Sequence, residues 1–438
     1  MANPYLPSWE YIPDGEPRVF GDRIYVYGSH DRPDSESFCD YKLKAWSAPL
    51  DNPCQWVCHG DIFHSRRDND HNSDVDWTDE YLYAPDVVEK DGKYYLYAYL
   101  VNSKGCVAVS DKPEGPFKLL ARYEYNIPDH YDNGTFIDPG VLVDDDGRVY
   151  IYCGYLGSYM CEIDPSNMYK VIDGTYKEDI IPKEEPYSFF EACSPRKIGN
   201  TYYLIYSPNR GSRLAYATSS SPEGPFEYRG YIVDNGTDYP GGNNHGSVCC
   251  INGQWYIFYH RMTNGTIMSR RGCVERITIM PDGTIPPVEM TSLGFEESLN
   301  PYNITSADTA CVLKGGCIIT ELDTFTRIIT NITSGCVMGW KYYDFGEDFT
   351  NGSMEIELKV IPGGCHGQVH VFIDSDTDGE EICTIGFDRS STILHGTTKA
   401  VTGRHSIFFM AEAGYTGWAK ESFNGRHLFD LVSFVFSK

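Results

Sequence analysis

A turn followed by a tight run of aromatic and aliphatic residues recurs five times in the first 260 residues. The copies are Gly21-Asp22-Arg23-Ile24-Tyr25-Val26-Tyr27, Asp91-Gly92-Lys93-Tyr94-Tyr95-Leu96-Tyr97 and Asp146-Gly147-Arg148-Val149-Tyr150-Ile151-Tyr152. Ile198-Gly199-Asn200-Thr201-Tyr202-Tyr203-Leu204-Ile205-Tyr206 and Asn252-Gly253-Gln254-Trp255-Tyr256-Ile257-Phe258-Tyr259 complete the set. Aligned on Tyr25, Tyr95, Tyr150, Tyr203 and Tyr256, the steps are 70, 55, 53 and 53 residues. A strand, a Gly-containing turn and a second strand at about 50-residue spacing is the sequence form of a propeller blade. Five copies predict an all-β, five-bladed β-propeller over residues 1–296. Unrelated hairpins in a sandwich are the weaker alternative.

The periodicity stops after Asp282-Gly283-Thr284, and Glu296 to Asn303 reads as a linker. From 304 to 438 a different set of alternating runs follows, among them Gly367 to Asp374 and Leu428 to Phe436. That length suits one β-sandwich of jelly-roll type.

Composition excludes several classes. There are 62 acidic against 36 basic residues, a net charge of −26. Phosphate binding needs clustered Lys and Arg, so neither nucleic acid nor an anionic membrane is expected as partner. No apolar run reaches the length of a membrane span. Met1-Ala2-Asn3-Pro4 has neither a basic n-region nor an apolar h-region, so the expectation is a cytoplasmic protein. Its fifteen cysteines, an odd count without a CxxC pair, then read as reduced structural thiols. Sequons such as Asn133-Gly134-Thr135 carry no weight in such a protein. Oligomeric state is not legible.

The chemistry lies just upstream of the aligned tyrosines. Asp14 precedes Tyr25 by 11 residues, Asp138 precedes Tyr150 by 12, Glu191 precedes Tyr203 by 12, and His245 precedes Tyr256 by 11. Blade two offers Tyr83-Ala84-Pro85-Asp86 at the matching place. Equivalent positions in repeats are equivalent positions in space, so these residues should ring one end of the central channel. Blades three and four are neighbours, so Asp138 should crowd Glu191. Its charge, with Phe189 and Phe190, would raise the Glu191 pKa. Asp14, from non-adjacent blade one, should stand across the pocket. Two carboxyls separated by roughly 6.5–9.5 Å serve inverting glycoside hydrolysis as acid and base.

At these residues the chain resembles glycoside hydrolase family 43 over essentially its first 295 residues. The likeness rests on Pro13-Asp14-Gly15-Glu16-Pro17, Tyr83-Ala84-Pro85-Asp86, Ile137-Asp138-Pro139-Gly140, Phe189-Phe190-Glu191 and Asn244-His245-Gly246. The resemblance implies a five-bladed propeller with Asp14 as general base, Asp138 as pKa modulator and Glu191 as general acid. It implies substrate contacts from Tyr83, Ala84, His245 and an arginine of Ser269-Arg270-Arg271-Gly272; alternation lets only one face the channel, and spacing favours Arg270. It further implies no organic cofactor and a channel Ca2+ or Na+ ion linked to His245 through water. Trp9 and Trp77 are candidates for pocket walls or equally for buried packing, and the His64–Asp79 loop is a further candidate wall.

The tail resembles carbohydrate-binding module family 6 through Asn331-Ile332-Thr333, the Val337–Gly346 segment and Leu428-Phe429-Asp430. The aromatic and amide residues of that family's sugar cleft are missing near Asn424-Gly425-Arg426-His427-Leu428. A structural or pocket-covering domain is therefore expected ahead of an independent sugar binder, and a structural Ca2+ there is a further candidate. The function implied is an inverting exo-glycosidase that removes α-L-arabinofuranosyl or β-D-xylosyl units from arabinoxylan- or xylan-derived oligosaccharides. Endo- or exo-cleavage of 1,5-α-L-arabinan is the in-class alternative, and a non-catalytic sugar-binding propeller the alternative outside it.

Overall fold

The computed structural model describes residues 2–130, 134–209, 211–236, 238–347 and 352–438, so Asn133 of the sequon lies outside the described residues. Five antiparallel sheets come first. The first holds β1 (Glu16–Phe20), β2 (Arg23–Gly28), β3 (Lys42–Pro49) and β4 (Val57–His64). The second holds β5 (Leu82–Lys90), β6 (Lys93–Leu100), β7 (Cys106–Ser110) and β8 (Lys118–Arg122). The third holds β9 (Gly140–Val143), β10 (Val149–Gly154), β11 (Ser158–Ile163) and β12 (Lys177–Glu178). The fourth holds β13 (Phe189–Ile198), β14 (Thr201–Pro208), β15 (Arg213–Ser219) and β16 (Glu227–Asp234), and the fifth β17 (Ser247–Ile251), β18 (Gln254–Thr263) and β19 (Thr266–Ile277). Their first strands β1, β5, β9, β13 and β17 each lie against the next, and β17 returns to β1. The ring is a five-bladed propeller.

The repeated turns make the first hairpin of each blade. Asp91-Gly92 and Asn252-Gly253 have positive φ at both residues, the twist-matched two-residue turn that Asn-Gly and Asp-Gly favour. Second strands are buried on both faces between neighbouring blades, which explains their aromatic content. Tyr27, Tyr97 and Tyr152 occupy equivalent places, and each donates its hydroxyl to a carbonyl of the following blade. The acceptors are Pro113 O (2.5 Å), Met168 O (2.8 Å) and Pro222 O (2.6 Å). A buried phenol needs such an acceptor, and each bond contributes about 1 kcal/mol. Ile205 and Phe258 fill the place in blades four and five. The N-terminal segment completes blade five. Tyr5 N donates to Gly272 O at 3.2 Å, while the Asn3 amide donates to Val274 O (2.8 Å) and accepts from Val274 N (2.9 Å).

The remaining strands form a two-sheet sandwich. One sheet runs β22 (Ile318–Glu321), β23 (Arg327–Ile332), β30 (Phe429–Ser437), β25 (Ser353–Pro362) and β28 (Ile393–Lys399), with β20 (Thr305–Ser306) paired to β30. The other runs β21 (Val312–Lys314), β24 (Val337–Asp344), β29 (Arg404–Ala413), β26 (Gly367–Ile373) and β27 (Glu380–Phe387). A six-residue helix, α1 (Trp418–Phe423), precedes β30, and among the described residues no helix is long and apolar enough to cross a membrane. No disulfide joins the cysteines.

Propeller and sandwich share buried contacts. Tyr239, after β16, enters the sandwich core beside Trp340 and Ile319, with the Arg261 guanidinium 5.8 Å from its ring. Arg271 Nη1 donates to Asp308 Oδ2 at 2.8 Å, both side chains buried. Breaking such a pair strands a buried charge. Asp308→Ala should therefore destabilise the protein by about 3–5 kcal/mol, and the apolar pair Arg271→Met/Asp308→Leu should recover most of that. Urea denaturation of both variants checks this, and an unaltered midpoint for Asp308→Ala would contradict it.

Candidate active site

Asp14, Asp138, Glu191 and His245 stand at or just before the starts of four inner strands and line one cavity of about 600 Å³ with Tyr83 and Arg270. Asp14 and Asp138 take positive φ, 56° and 47°, in the tight turns that lead into β1 and β9. Glu191 sits in an irregular stretch of β13, where the register with β14 slips on both sides of it. Gly140 lets β9 and β13 meet there. A Cβ at that residue would lie 2.1 Å from Cys193 O, so any side chain would push the Asp138 turn away from Glu191.

Asp14 is 5% exposed and held as an anion. Arg270 Nη1 donates to its Oδ1 at 2.8 Å and Ser29 Oγ to its Oδ2 at 2.6 Å. Burial pushes its pKa up, but Arg270, His245, His260 and the Ser29 bond together hold it below the usual range. His260 Nδ1 faces Asp14 N and Oδ1, each at 3.4 Å, and its Nε2 faces Asn243 O at 3.0 Å. Burial and then Arg270 push the His260 pKa down to about 3, so that ring is neutral. His245, 5% exposed, brings Nδ1 to 3.8 Å from Asp14 Oδ1, and burial lowers its pKa too.

Glu191 behaves oppositely. Burial, then the Asp14 charge, raise its pKa to about 7, although Asn243 Nδ2 donates to Oε1 at 2.5 Å. Asp138, 7% exposed, is pushed well above the usual range by burial and by Glu191. Two crowded carboxyls disfavour ionising together. Arg270 is committed to Asp14 and Asp31, and Asp138 has no ion pair among the described residues.

Alternation along β19 separates the two arginines. Arg270 faces the cavity, whereas Arg271 faces Asp308 of the sandwich. Along β13 it separates Phe190, which lines the cavity against Tyr155 (5.4 Å), from Phe189, which packs in the core between blades three and four. Only Phe190 can help keep water from Glu191. Ala84 is not among the lining residues; its N–H donates to Ser29 Oγ at 2.8 Å and so fixes the hydroxyl that holds Asp14. Trp9 packs 5.7 Å from Trp46, and Trp77 packs against the core between blades one and two. Neither tryptophan, the 64–79 loop nor the sandwich contributes a described lining residue; Phe38, Cys39, Tyr99 and Tyr155 form the walls instead.

Sequence reasoning missed Asp31, the residue that aims Arg270. Its Oδ2 accepts from Arg270 Nε and from Arg270 N, and its Oδ1 from Arg270 Nη2, all at 2.9 Å. Asp31 follows β2 outside the repeat and pairs across 239 positions, so no local pattern marks it. His260, 246 positions from Asp14, was missed for the same reason; Ser29 and Asn243 lie beside motifs that sequence reasoning did find, but nothing in their residue type marks them.

The channel behind His245 does not fit a calcium ion bound by protein atoms. Asp86 is gripped twice by Arg18 (3.0 and 2.5 Å), and Glu16 Oε2 by Arg196 Nη2 (2.7 Å). Two guanidinium groups thus balance two carboxylates. Glu16 Oε1 is a buried oxygen without a hydrogen bond, whereas calcium takes about 6–8 oxygens. In the sandwich, no described group of three or more His, Cys, Asp or Glu converges on an ion site.

A ring of five blades with one depressed and two raised carboxyls in a sugar-sized cavity is the architecture of a glycoside-cleaving enzyme. A family model described as "Glycosyl hydrolases family 43" matches residues 54–285, and the chain belongs to that family. It is 37% identical to the "Xylosidase/arabinosidase" of Thermoclostridium stercorarium, over 93% of this chain and 95% of the relative. Among solved structures, a family 43 β-xylosidase/α-arabinofuranosidase from a compost microbial metagenome, in complex with xylotriose and in a calcium-free form, superimposes with a TM-score of 0.54. It is 28% identical, over 65% of this chain and 96% of that one. The arabinoxylan arabinofuranohydrolase of Bacillus subtilis, at 23% identity and TM-score 0.55, covers 100% of this chain and 97% of its own, and shows the fold of both domains.

The crowding of Asp138 and Glu191 has a measurable consequence. Asp138→Asn leaves Glu191 without a competitor carboxylate, so the last proton should leave at lower pH. The basic limb of kcat/KM against pH should then move down, with Tm nearly unchanged. An unmoved limb in a folded variant would mean that burial alone sets the acid's pKa.

Proposed function

We propose that the protein is an inverting exo-glycosidase that removes terminal α-L-arabinofuranosyl or β-D-xylosyl units from xylan-derived oligosaccharides. The observation that carries this reading is the contrast within one cavity between Asp14, ion-paired to Arg270 and bonded by Ser29, and Glu191, buried with no ion pair among the described residues. Environments that push two carboxyls apart assign the base and the acid. Asp14, held ionised by Arg270, accepts the proton of an attacking water. Glu191, held protonated, gives its proton to the departing glycosidic oxygen. Asp138 maintains that proton, while Tyr83, His245 and Arg270 border the bound sugar. Water adds to the anomeric carbon as the glycosidic bond breaks, so one proton enters Asp14 and one leaves Glu191. No organic cofactor or metal step is needed.

The sugar assignment follows the relatives, named for xylosidase and arabinosidase activities, and the xylotriose of the compost enzyme supports a xylan-derived chain. Arabinofuranose and xylose share stereochemistry over much of their rings, which suits one pocket to both. Cytoplasmic placement, which fits reduced thiols, would supply short imported oligosaccharides.

Glu191→Gln should lose far more activity on oligosaccharides, whose leaving group needs a proton, than on aryl glycosides, whose leaving group does not. Equal losses would remove Glu191 from that role. The first sugar released, observed by NMR before mutarotation, should have the inverted anomeric configuration. Retention would overturn the assignment of Asp14 as base, and chain-internal cutting of linear arabinan would overturn exo action.

A further inference from the structure

Outside the cavity, one group of metal-ligating side chains converges among the described residues: Asp61 and His64 at the end of β4, and Asp68 and His71 in the loop that follows. One donor atom from each lies within 4.8 Å of all the others. The imidazoles of His64 and His71 are stacked, ring centres 4.3 Å apart. His71 Nδ1 is 3.6 Å from Asp68 Oδ1.

The cluster is more than acidic surface. His64 is 4% exposed, and its Nε2 makes an ion pair with Asp61 Oδ2 at 3.4 Å. Burial lowers its pKa, but Asp61 and Asp74 outweigh that and raise it to about 9, so a metal would bind there by displacing a proton. On the other edge of the ring, Nδ1 faces Asp74 Oδ2 at 3.6 Å. An imidazole backed by a carboxylate, its other nitrogen turned toward further ligands, is how proteins orient a histidine for a metal. Asp61 Oδ2 also accepts from Lys42 Nζ at 3.0 Å, and Asp68 Oδ1 accepts from the backbone N–H of Asp70 (2.8 Å) and His71 (2.7 Å).

We propose that Asp61, His64, Asp68 and His71 form a zinc site that clips the loop after β4 to that strand. Two imidazoles and two carboxylates suit a borderline ion of tetrahedral habit, whereas calcium and magnesium prefer all-oxygen shells. Two aspartates neutralise the divalent charge. The loop contributes no lining residue to the cavity, so the role is structural and separable from catalysis.

Calorimetric titration of chelator-treated full-length protein with Zn2+ should give one site per chain. His71→Ala and Asp68→Asn, whose side chains are 46% and 44% exposed and so leave folding intact, should each weaken binding. The loss should exceed the roughly 10–100-fold that removal of an outer-shell partner costs. Titration with Co2+ should develop visible d–d bands without a thiolate charge-transfer band, which separates this site from the cysteines. Trypsin cutting at the exposed Arg66 and Arg67 should slow about tenfold when free zinc is about ten times its Kd. Zinc affinity unchanged in both variants, a thiolate band, or no zinc binding by the wild-type chain would overturn the proposal.

Discussion

Buried charge around the propeller axis must be compensated, and that requirement organises the structure. Arg18 grips Asp86, Arg196 grips Glu16, and Arg270 grips both Asp14 and Asp31. Each pair links different blades or distant segments, so the pairings also help hold the ring in register. An isolated carboxylate in such a place would neutralise itself by taking up a proton. Asp138 and Glu191 are the two axial carboxyls with no ion pair of their own among the described residues, and burial pushes both pKa values up. The opposite shifts of Asp14 and Glu191 thus arise from one rule, applied at two places with and without an arginine.

The repeat made much of this legible. Asp-Gly and Asn-Gly turns announce the hairpins, and counting back from the aligned tyrosines finds Asp14, Asp138, Glu191 and His245 at the mouth. The same counting reaches Ala84 in blade two; Asp86, nine residues before Tyr95, matches Glu16, nine before Tyr25, and is spent on Arg18. Position in a repeat fixes where a side chain starts; its partner decides what it does. Asp31 and His260 were illegible because they lie outside the repeated run and meet the site across long sequence separations; Ser29, only 15 residues from Asp14, lies just past the first run and is a residue type that marks nothing by itself. The contrasts between Phe189 and Phe190, and between Arg270 and Arg271, depend on single-residue register, which a bulge can reset.

Of the two readings open for the tryptophans, wall or packing, the structure shows packing. Trp9, Trp77 and the His64–Asp79 loop come near the early carboxylates in sequence, but a blade runs outward from the axis. Residues after the fourth strand of blade one therefore emerge at the rim, where Trp77 packs in the core between blades and the loop turns back on β4. The walls come from Phe38 and Cys39 between β2 and β3, Tyr99 on β6, and Tyr155 between β10 and β11. These are segments that return to the axis.

Strand β19 links the two halves of the molecule. Successive residues face opposite ways, so Arg270 reaches Asp14 while Arg271 reaches into the sandwich. Asn264, in the turn before that strand, donates its N–H to Ile319 O of the sandwich at 2.7 Å. Beyond the strand, Ser292 N donates to Lys341 O at 2.7 Å. The strand is thus fixed on its far side by the second domain and on its near side by Asp14 and Asp31. A sandwich that contributes no described residue to the cavity can still bear on it, because it restrains the backbone from which Arg270 projects. That makes the domain a buttress for Arg270, and it gives a physical reason for a propeller to carry a sandwich that need not touch sugar.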